Sequence, residues 1–163
     1  MANPKSIKPN HLTKTLTKQL TNKYKVKWLS EMEKISSCRV YRTFKTEFKL
    51  ERYLMLPDCV DRINVSKFRC RNTKIPVVTL GYSVKQTLYE DRICPSCNIG
   101  AIGDEFHYIM QCPVLQIQRQ RCLGTPYLIN PDREKFLSLL QNNNFNTLRK
   151  LAKLITEINA YFK

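Results

Sequence analysis

The stretch RICPSCNIGAIGDEFHYIMQCP, residues 92–113, contains four residues of the types that bind metal ions. Cys94 and Cys97 are separated by two residues, His107 follows after nine more, and Cys112 after a further four. A C-x2-C turn directs two thiolates at one ion, while backbone N–H groups of the turn donate to the sulfurs. Three thiolates and one imidazole form a closed tetrahedral shell, which is typical of structural rather than catalytic zinc. The pattern therefore predicts one structural Zn²⁺ with these four ligands.

A short helix is predicted to present the last two ligands. Asp104 is expected to be its N-cap, with His107 in the first turn and Cys112 at the end. Pro113 prevents the helix from continuing. A spacing of five residues places two side chains about 140° apart on an ideal helix. Both ligands can reach one ion only if the last turn is distorted, and we expect such a distortion.

Two alternatives to zinc stay open at this point, namely packing residues without a ligand and a redox-active C-x-x-C pair. Gly100 and Gly103 permit the chain to reverse after Cys97, as a metal-binding turn requires. No strand-helix frame of the thioredoxin type precedes the pair, which disfavours the redox alternative. Glu105 resembles a general base, but acidic residues are favoured in the first turn of any helix.

The positive charge of the chain surrounds the metal segment and largely avoids it. The chain of 163 residues has a formal net charge of +15, and its 42% hydrophobic content predicts one domain, or one domain plus an arm. Residues 73–112 carry three basic and four acidic side chains, whereas 1–34 carry eight and two, 35–72 nine and four, and 113–163 eight and three. Because such a field attracts polyanions, it predicts nucleic acid as the partner. The alternative is a basic surface that only confers solubility.

No apolar run is long enough for a membrane span, and the Lys-rich start lacks the apolar core of a signal peptide. We therefore expect an intracellular protein of the nucleus or cytoplasm, without a membrane partner. Seven cysteines in such a chain favour metal ligands and buried thiols over a disulfide framework, although disulfides stay possible. The four cysteines outside the motif are predicted to be small buried hydrophobic residues: Cys38, Cys59, Cys70 and Cys122.

The beginning of the chain, residues 1–27, is predicted to be a basic arm. Its first ten or so residues contain Pro4 and Pro9 and are expected to be disordered. The residues that follow are expected to form a marginal helix at most, because threonine is frequent there. An apolar residue recurs at every fourth position, as Leu12, Leu16, Leu20, Tyr24 and Trp28.

Two further helices are predicted before the metal segment, one ending before Pro57 and one capped by Asp58. Between Asn72 and Arg92 the helical pattern fails, and an extended stretch with a turn is predicted. The apolar positions of the first helix are Tyr41, Phe44, Phe48 and Met55, and those of the second are Val60, Ile63 and Phe68.

After the metal segment, residues 114–123 are predicted to form a short helix. Asn130 and Pro131 are read as the cap and first residue of the next helix. The predicted fold is mainly α, a small helical domain of residues 28–163 built around one CCHC zinc knuckle at residues 94–112. The apolar positions of the last two helices are Phe136, Leu137 and Leu140, and then Leu148, Leu151, Ile155, Ile158 and Phe162 in a three-four alternation.

Basic and aromatic residues that alternate or share a helix are the candidates for nucleic-acid contact. Lysine and arginine would contact phosphates, and aromatic rings could stack on unpaired bases. The alternative is a solvated helix face. The candidate contacts are Lys23, Lys25, Lys27, Arg62, Lys67, Arg69, Arg71, Arg119 and Arg121.

The metal segment also resembles the cysteine/histidine segment at the C-terminal end of non-LTR (LINE-type) retrotransposon reverse transcriptases. The resemblance rests on Arg-Ile-Cys-Pro-Ser-Cys at 92–97, Ile-Gly-Asp-Glu-Phe-His-Tyr at 102–108 and Gln-Cys-Pro at 111–113. It continues upstream in Trp28 and Tyr-Arg-Thr-Phe-Lys at 41–45. The loop at 75–82 departs from that family because the arginine of its Gly-Arg-Tyr-like turn is absent. The resemblance implies a zinc-containing tail that helps a polymerase to hold template RNA or target DNA.

Polymerase activity is not expected. The palm of a reverse transcriptase needs a Tyr/Phe-x-Asp-Asp turn to hold two metal ions, and the chain has no adjacent pair of aspartates. The sequence contains no recognisable nucleophile-base pair and no phosphate-binding loop. We therefore expect neither another enzymatic activity nor a small-molecule substrate. The leading hypothesis is a module that binds RNA or single-stranded DNA. The alternative is a zinc-stabilised protein-interaction domain that uses the apolar residues of the 148–162 helix.

Overall fold

The computed structural model describes residues 11–81 and 87–162, and within these ranges the chain is mainly helical and has no β-strand. The prediction of a mainly α fold is thereby confirmed. In the same ranges, no helix is both long enough and apolar enough to cross a membrane. The chain divides into two compact units, Met1–Ser36 and Ser37–Lys163. The predicted disorder of the first ten residues lies outside the described residues.

The first unit contains one long helix, α1, which spans His11–Lys34. Its apolar side chains are largely exposed, with 49% of Leu16, 57% of Leu20 and 62% of Tyr24 accessible to solvent. An apolar residue at every fourth position drifts by about 40° per step around an α-helix, so the predicted stripe winds around the helix. Helix α1 continues past residue 27, where the sequence predicted the end of the basic arm.

The second unit consists of seven α-helices among its described residues, joined by short 3-10 and irregular segments. Asp58 caps α3 by accepting a hydrogen bond from the Val60 N–H at 2.7 Å, as the sequence predicts. Pro76 begins α4 inside the stretch predicted to be extended. The 3-10 segments are Ser36–Cys38, Arg52–Met55, Tyr89–Asp91 and Pro113–Leu115. The helices are α2 (Tyr41–Phe44), α3 (Cys59–Arg69), α4 (Pro76–Thr79), α5 (Gln116–Cys122), α6 (Thr125–Leu128), α7 (Arg133–Gln141) and α8 (Phe145–Tyr161).

The core of the second unit is built on the packing of α8 against α3 and α5. Asn144 caps α8 by accepting hydrogen bonds from two backbone N–H groups of its first turn. On α3 the buried residues are Val65, Phe68 and Arg69, whereas Val60 and Ile63 are 54% and 49% exposed. The predicted apolar face of the last helix is confirmed, since Leu148, Leu151, Ile155 and Ile158 are fully buried.

The segment before Pro57 is not one helix, contrary to the prediction. Helix α2 ends at Phe44, and the chain is irregular until the 3-10 turn at Arg52–Met55. Phe48 and Met55 are 48% and 54% exposed, so their helical spacing does not mark a buried face. In this segment the charged side chain of Lys45 is buried and that of Glu51 is half-buried.

The structure also defines where α5 and α7 begin. The helix predicted at 114–123 is confirmed as a 3-10 turn that leads into α5. The cap of α7 is Asp132 rather than Asn130, because Asp132 accepts a hydrogen bond from the Lys135 N–H at 2.7 Å. Asn130 has a left-handed backbone with φ of 44° and lies in the turn before the helix.

Candidate metal centre

A tight reversal of the chain places the C-x2-C pair beside the helix that follows it. Ile93 and Ile102 form an isolated antiparallel bridge. The Cys94 N–H donates to the Ala101 carbonyl at 2.8 Å, which closes the reversal. Gly100 lies within it at a φ of 71°, a left-handed conformation that glycine adopts without steric conflict. With this conformation, Gly100 allows the chain to reverse after Cys97, as the sequence predicts.

The helix that carries the other two ligands widens as it approaches its end. Asp104 caps its beginning by accepting a hydrogen bond from the His107 N–H at 2.8 Å. The segment His107–Gln111 is a π-helix, and the Cys112 N–H donates to the His107 carbonyl five residues earlier at 2.7 Å. A turn closed by an i→i+5 bond contains more residues than an α-helical turn, so it brings residues five apart onto one side. The predicted distortion of the last turn is confirmed.

The four candidate ligands converge on one point. The three sulfurs and one imidazole nitrogen all lie within 4.8 Å of one another, and the Cys97 Sγ lies 3.4 Å from the His107 Nε2. Cys94, His107 and Cys112 are at most 2% exposed, and Cys97 is half-buried. This cluster could hold a metal ion, and it is the four-residue set that the sequence predicts.

Burial and hydrogen bonds set the protonation of these groups. Burial raises the pKa of Cys94, but hydrogen bonds from the Tyr108 hydroxyl and from backbone N–H groups outweigh it and leave that pKa below its usual value. Burial lowers the pKa of His107, which favours the neutral imidazole that binds metals. Burial and the neighbouring thiols raise the pKa of Cys112 to about 12. Without a cation among them, the Cys112 thiol would therefore stay protonated.

Two side chains that the sequence analysis did not identify as supports of the centre form hydrogen bonds to it. The Tyr108 hydroxyl donates to the Cys94 Sγ at 3.2 Å. The Arg119 guanidinium donates to the Cys112 carbonyl at 2.6 Å and to the Tyr108 carbonyl at 3.4 Å, where the π-helix ends. A Cβ at Gly103 would lie 2.9 Å from the Tyr108 hydroxyl, so this glycine leaves room for the sulfur contact.

Acidic residues at the start of the helix connect the centre to the rest of the unit. Asp104 accepts a second hydrogen bond, from the Tyr89 hydroxyl at 3.1 Å. Glu105 is 1% exposed and accepts a hydrogen bond from the Arg71 Nε at 2.9 Å. Arg71 adopts a left-handed backbone with φ of 53° at the end of α3. Glu105 is thus the buried partner of a cation, a stronger reason for its presence than helix-end electrostatics.

The structure separates the predicted nucleic-acid contacts into two groups. The side chains of Lys23, Lys25, Lys27, Lys67 and Arg121 are exposed, whereas Arg62 is half-buried and donates to the carbonyls of Leu56 and Pro57. Arg69, Arg71 and Arg119, which are also predicted contacts, do not line an open surface, because each is directed at a partner within the protein.

A basic surface that the sequence analysis did not identify lies on α8 and the adjoining part of α5. Arg121, Lys150 and Lys153 all lie near Cys122, and Arg149 and Lys153 lie near the Asp61 carboxylate of α3. All four of these basic side chains are exposed. We call Arg121, Arg149, Lys150 and Lys153 the α8 basic face. The apolar spacing of this helix does not reveal the surface, because the charges lie between the apolar positions.

The cysteines outside the centre differ in burial. Cys122 is buried, as predicted, and burial raises the pKa of its thiol. Cys38 is half-buried. The prediction is wrong for Cys59 and Cys70, which are exposed.

No protein family, curated protein or solved structure matches the chain. The centre and the α8 basic face are therefore interpreted from their own chemistry.

Proposed function

We propose that the protein is a nucleic-acid-binding module for RNA or single-stranded DNA, in which the Cys/His centre holds one structural Zn²⁺. The observation that carries this proposal is the packing of one helix. The π-helix His107–Gln111 packs against both α5 and α8, the two helices that bear the α8 basic face. A metal ion that fixes the π-helix would therefore also fix the surface that meets the nucleic acid.

The donor set fits zinc. Zn–S bonds of about 2.3 Å and Zn–N bonds of about 2.0–2.1 Å give edges of about 3.5–3.8 Å in a tetrahedral site. The Cys97 Sγ and His107 Nε2 are 3.4 Å apart, and the largest separation in the cluster, 4.8 Å, exceeds such an edge by about 1 Å. Thiolates favour zinc over magnesium or calcium, which take oxygen ligands. With all four positions taken by protein, the ion has a structural role.

The α8 basic face supplies the charge for phosphate contact. Its lysines and arginines would neutralise backbone phosphates and release counterions, a contribution that does not depend on base sequence. The resemblance of residues 92–113 to the tails of LINE-type reverse transcriptases supports the same class of partner. We propose a binding role without polymerase activity, in the nucleus or cytoplasm.

The burial of α8 does not favour the alternative, a protein-interaction domain that binds through the 148–162 helix. Tyr161 is 48% exposed, but Leu148, Leu151, Ile155 and Ile158 are in the core of the unit, where α8 packs against α3 and α5. A partner protein could reach them only if the core opened.

The test is binding of a labelled single-stranded RNA and of the matching DNA, measured by fluorescence anisotropy in a salt titration. We expect affinity to fall steeply between about 50 mM and 200 mM salt. The double variant Lys150→Gln, Lys153→Gln should weaken binding to all sequences and reduce the salt slope by about one for each phosphate that is no longer neutralised. Lys74→Gln, at an exposed lysine of another part of the unit, is the matched control. Absence of oligonucleotide binding at low salt would refute the proposal.

A further inference from the structure

A polar cavity of about 230 Å³ lies between the irregular segment after α2, the end of α3 and the end of α7. Its walls do not include any of the four metal ligands. Gln141, Asn142 and Asn143 are among the residues that line it. The charged residues around it are four basic and two acidic ones, namely Lys45, Lys49, Arg52, Arg69, Glu47 and Glu51.

Two of the basic side chains are buried and share one carboxylate. Lys45 is 8% exposed and Arg69 is 5% exposed. Arg69 forms an ion pair with Glu51, and the Lys45 Nζ lies 3.8 Å from the same carboxylate. Glu51 also accepts a hydrogen bond from the Tyr41 hydroxyl. Its single negative charge is thus divided among three partners, and the buried group has an excess positive charge.

Other contacts hold each of the two buried cations in place. The Arg69 guanidinium lies 4.8 Å from the Phe44 ring and 4.5 Å from the Tyr53 ring, and it donates to the Leu140 carbonyl. The Lys45 Nζ donates to the Lys49 carbonyl at 2.5 Å, which leaves two of its three N–H groups for other acceptors. Burial, together with Arg69, lowers the pKa of Lys45, because a second positive charge is unfavourable there.

We propose that this cavity binds a phosphate group, with the Lys45 ammonium as its principal contact and Arg69 and Arg52 providing further positive charge. An uncompensated charge in a buried place is unfavourable until a counter-ion with good hydrogen bonds neutralises it. A phosphate oxyanion supplies both the charge and several acceptors for lysine, arginine and amide donors. The phosphate could belong to a nucleic-acid backbone or to a free phosphate. The inference does not depend on the proposed nucleic-acid binding.

The first experiment uses inorganic phosphate and the full chain, without any oligonucleotide. Thermal unfolding is followed in phosphate and in sodium chloride of equal ionic strength, and the affinity is measured by calorimetry. Binding to the native state should raise the midpoint of unfolding in phosphate above that in chloride. Lys45→Met should weaken phosphate affinity about tenfold or more, since it removes a charge-assisted hydrogen bond. Lys74→Met, which removes an exposed charge elsewhere, should leave it unchanged.

A second variant tests whether removal of a competing negative charge increases the response to phosphate. Glu51→Gln keeps the size of the side chain and removes the negative charge that competes with phosphate, so the phosphate-induced rise of the midpoint should become larger. If circular dichroism shows that Lys45→Met does not fold, Arg52→Gln takes its place, because Arg52 is exposed and should weaken phosphate affinity by a smaller factor. The proposal is overturned if phosphate acts no differently from chloride, or if the folded pocket variants respond as the wild type does.

Competition identifies the source of the phosphate. If the cavity accepts a backbone phosphate, inorganic phosphate should compete with the labelled oligonucleotide and Lys45→Met should weaken its binding. If the cavity accepts a free phosphate, the oligonucleotide affinity should not change between wild type and Lys45→Met. Both results require the phosphate effect in the first experiment. A protein that binds phosphate but no oligonucleotide would retain this inference and refute the proposed function.

Discussion

The metal segment 92–113 and the helix pair α3–α8 hold the same unit together by different means. Helix α8 buries one apolar stripe completely, with Leu151 and Ile155 at its centre. The metal segment consists of a reversal and a π-helix, with four candidate ligands, a helix cap and hydrogen bonds to sulfur and carbonyl groups. The stability of the helix pair should follow buried area, which tolerates similar side chains. The stability of the metal segment should depend on particular atoms.

The largest effect should come from removal of a metal ligand. In Cys112→Ser or His107→Ala, three ligands remain around a site that needs a fourth, so we expect loss of zinc and a large fall in the midpoint of thermal unfolding. Structural zinc contributes an apparent binding free energy of about 10–16 kcal/mol in small domains. Metal analysis of the purified protein and unfolding with and without a chelator measure the effect.

Cys59→Ser is the matched control for the ligand variants, because Cys59 is an exposed thiol away from the centre. It should keep the metal content and the chelator sensitivity of the wild type. The chelator should have no further effect on Cys112→Ser. A wild-type protein without metal whose unfolding ignores the chelator would contradict the zinc proposal.

The stability contributed by the α3–α8 pair should fall when a cavity is made in its core, but it should not depend on the chelator. Leu151 is fully buried on α8, so Leu151→Ala should lower the free energy of unfolding by about 2–5 kcal/mol. Metal content should stay at the wild-type ratio, and denaturant titrations with and without the chelator should show the same decrease. Loss of metal in this variant would show that the two regions do not hold the unit by separate means.

A smaller effect is expected from a substitution of Gly103, because this glycine lies against the Tyr108 hydroxyl. In Gly103→Ala the new methyl group would lie 2.9 Å from the Tyr108 hydroxyl and 3.3 Å from the Cys94 Cα. We expect a decrease of about 1–3 kcal/mol in stability, with weaker metal affinity in a competition titration. Tyr108→Phe removes the hydroxyl, so Gly103→Ala should be less harmful in that background. Equal decreases in both backgrounds would show that the hydroxyl contact is not the cause.

The sequence predicted the Cys/His cluster well because the rules that bring its residues together are local. The spacing of Cys94, Cys97, His107 and Cys112, the aspartate before the helix and the proline after it all act within about twenty residues of chain. Even the distorted turn followed from a spacing of five residues on a helix that has 3.6 residues per turn. Tyr108 and Arg119 could not be predicted as supports, because their contacts depend on how the π-helix meets the C-x2-C turn and α5.

Periodicity predicted α8 and misled elsewhere for a physical reason. The three-four alternation of α8 stays on one face of a helix, whereas the every-fourth pattern of α1 winds around it. Between Tyr41 and Met55 the apolar spacing matched a helix, but the segment there places Lys45 and Glu51 beside the buried Arg69. A buried arginine cannot be recognised from its neighbours in sequence when its partner, Glu51, lies eighteen residues away.

The smallest effect should come from the exposed side chains of α1. Leu20 is 57% exposed, so Leu20→Gln removes little buried apolar surface. Glutamine and leucine have similar helix propensities, and we expect the free energy of unfolding to change by less than about 0.5 kcal/mol. Metal content and chelator sensitivity should equal those of the wild type. A decrease as large as that of Leu151→Ala, measured in the same denaturant titration, would mean that the Leu20 side chain is packed in solution, and α1 would then belong with the helix pair in the comparison.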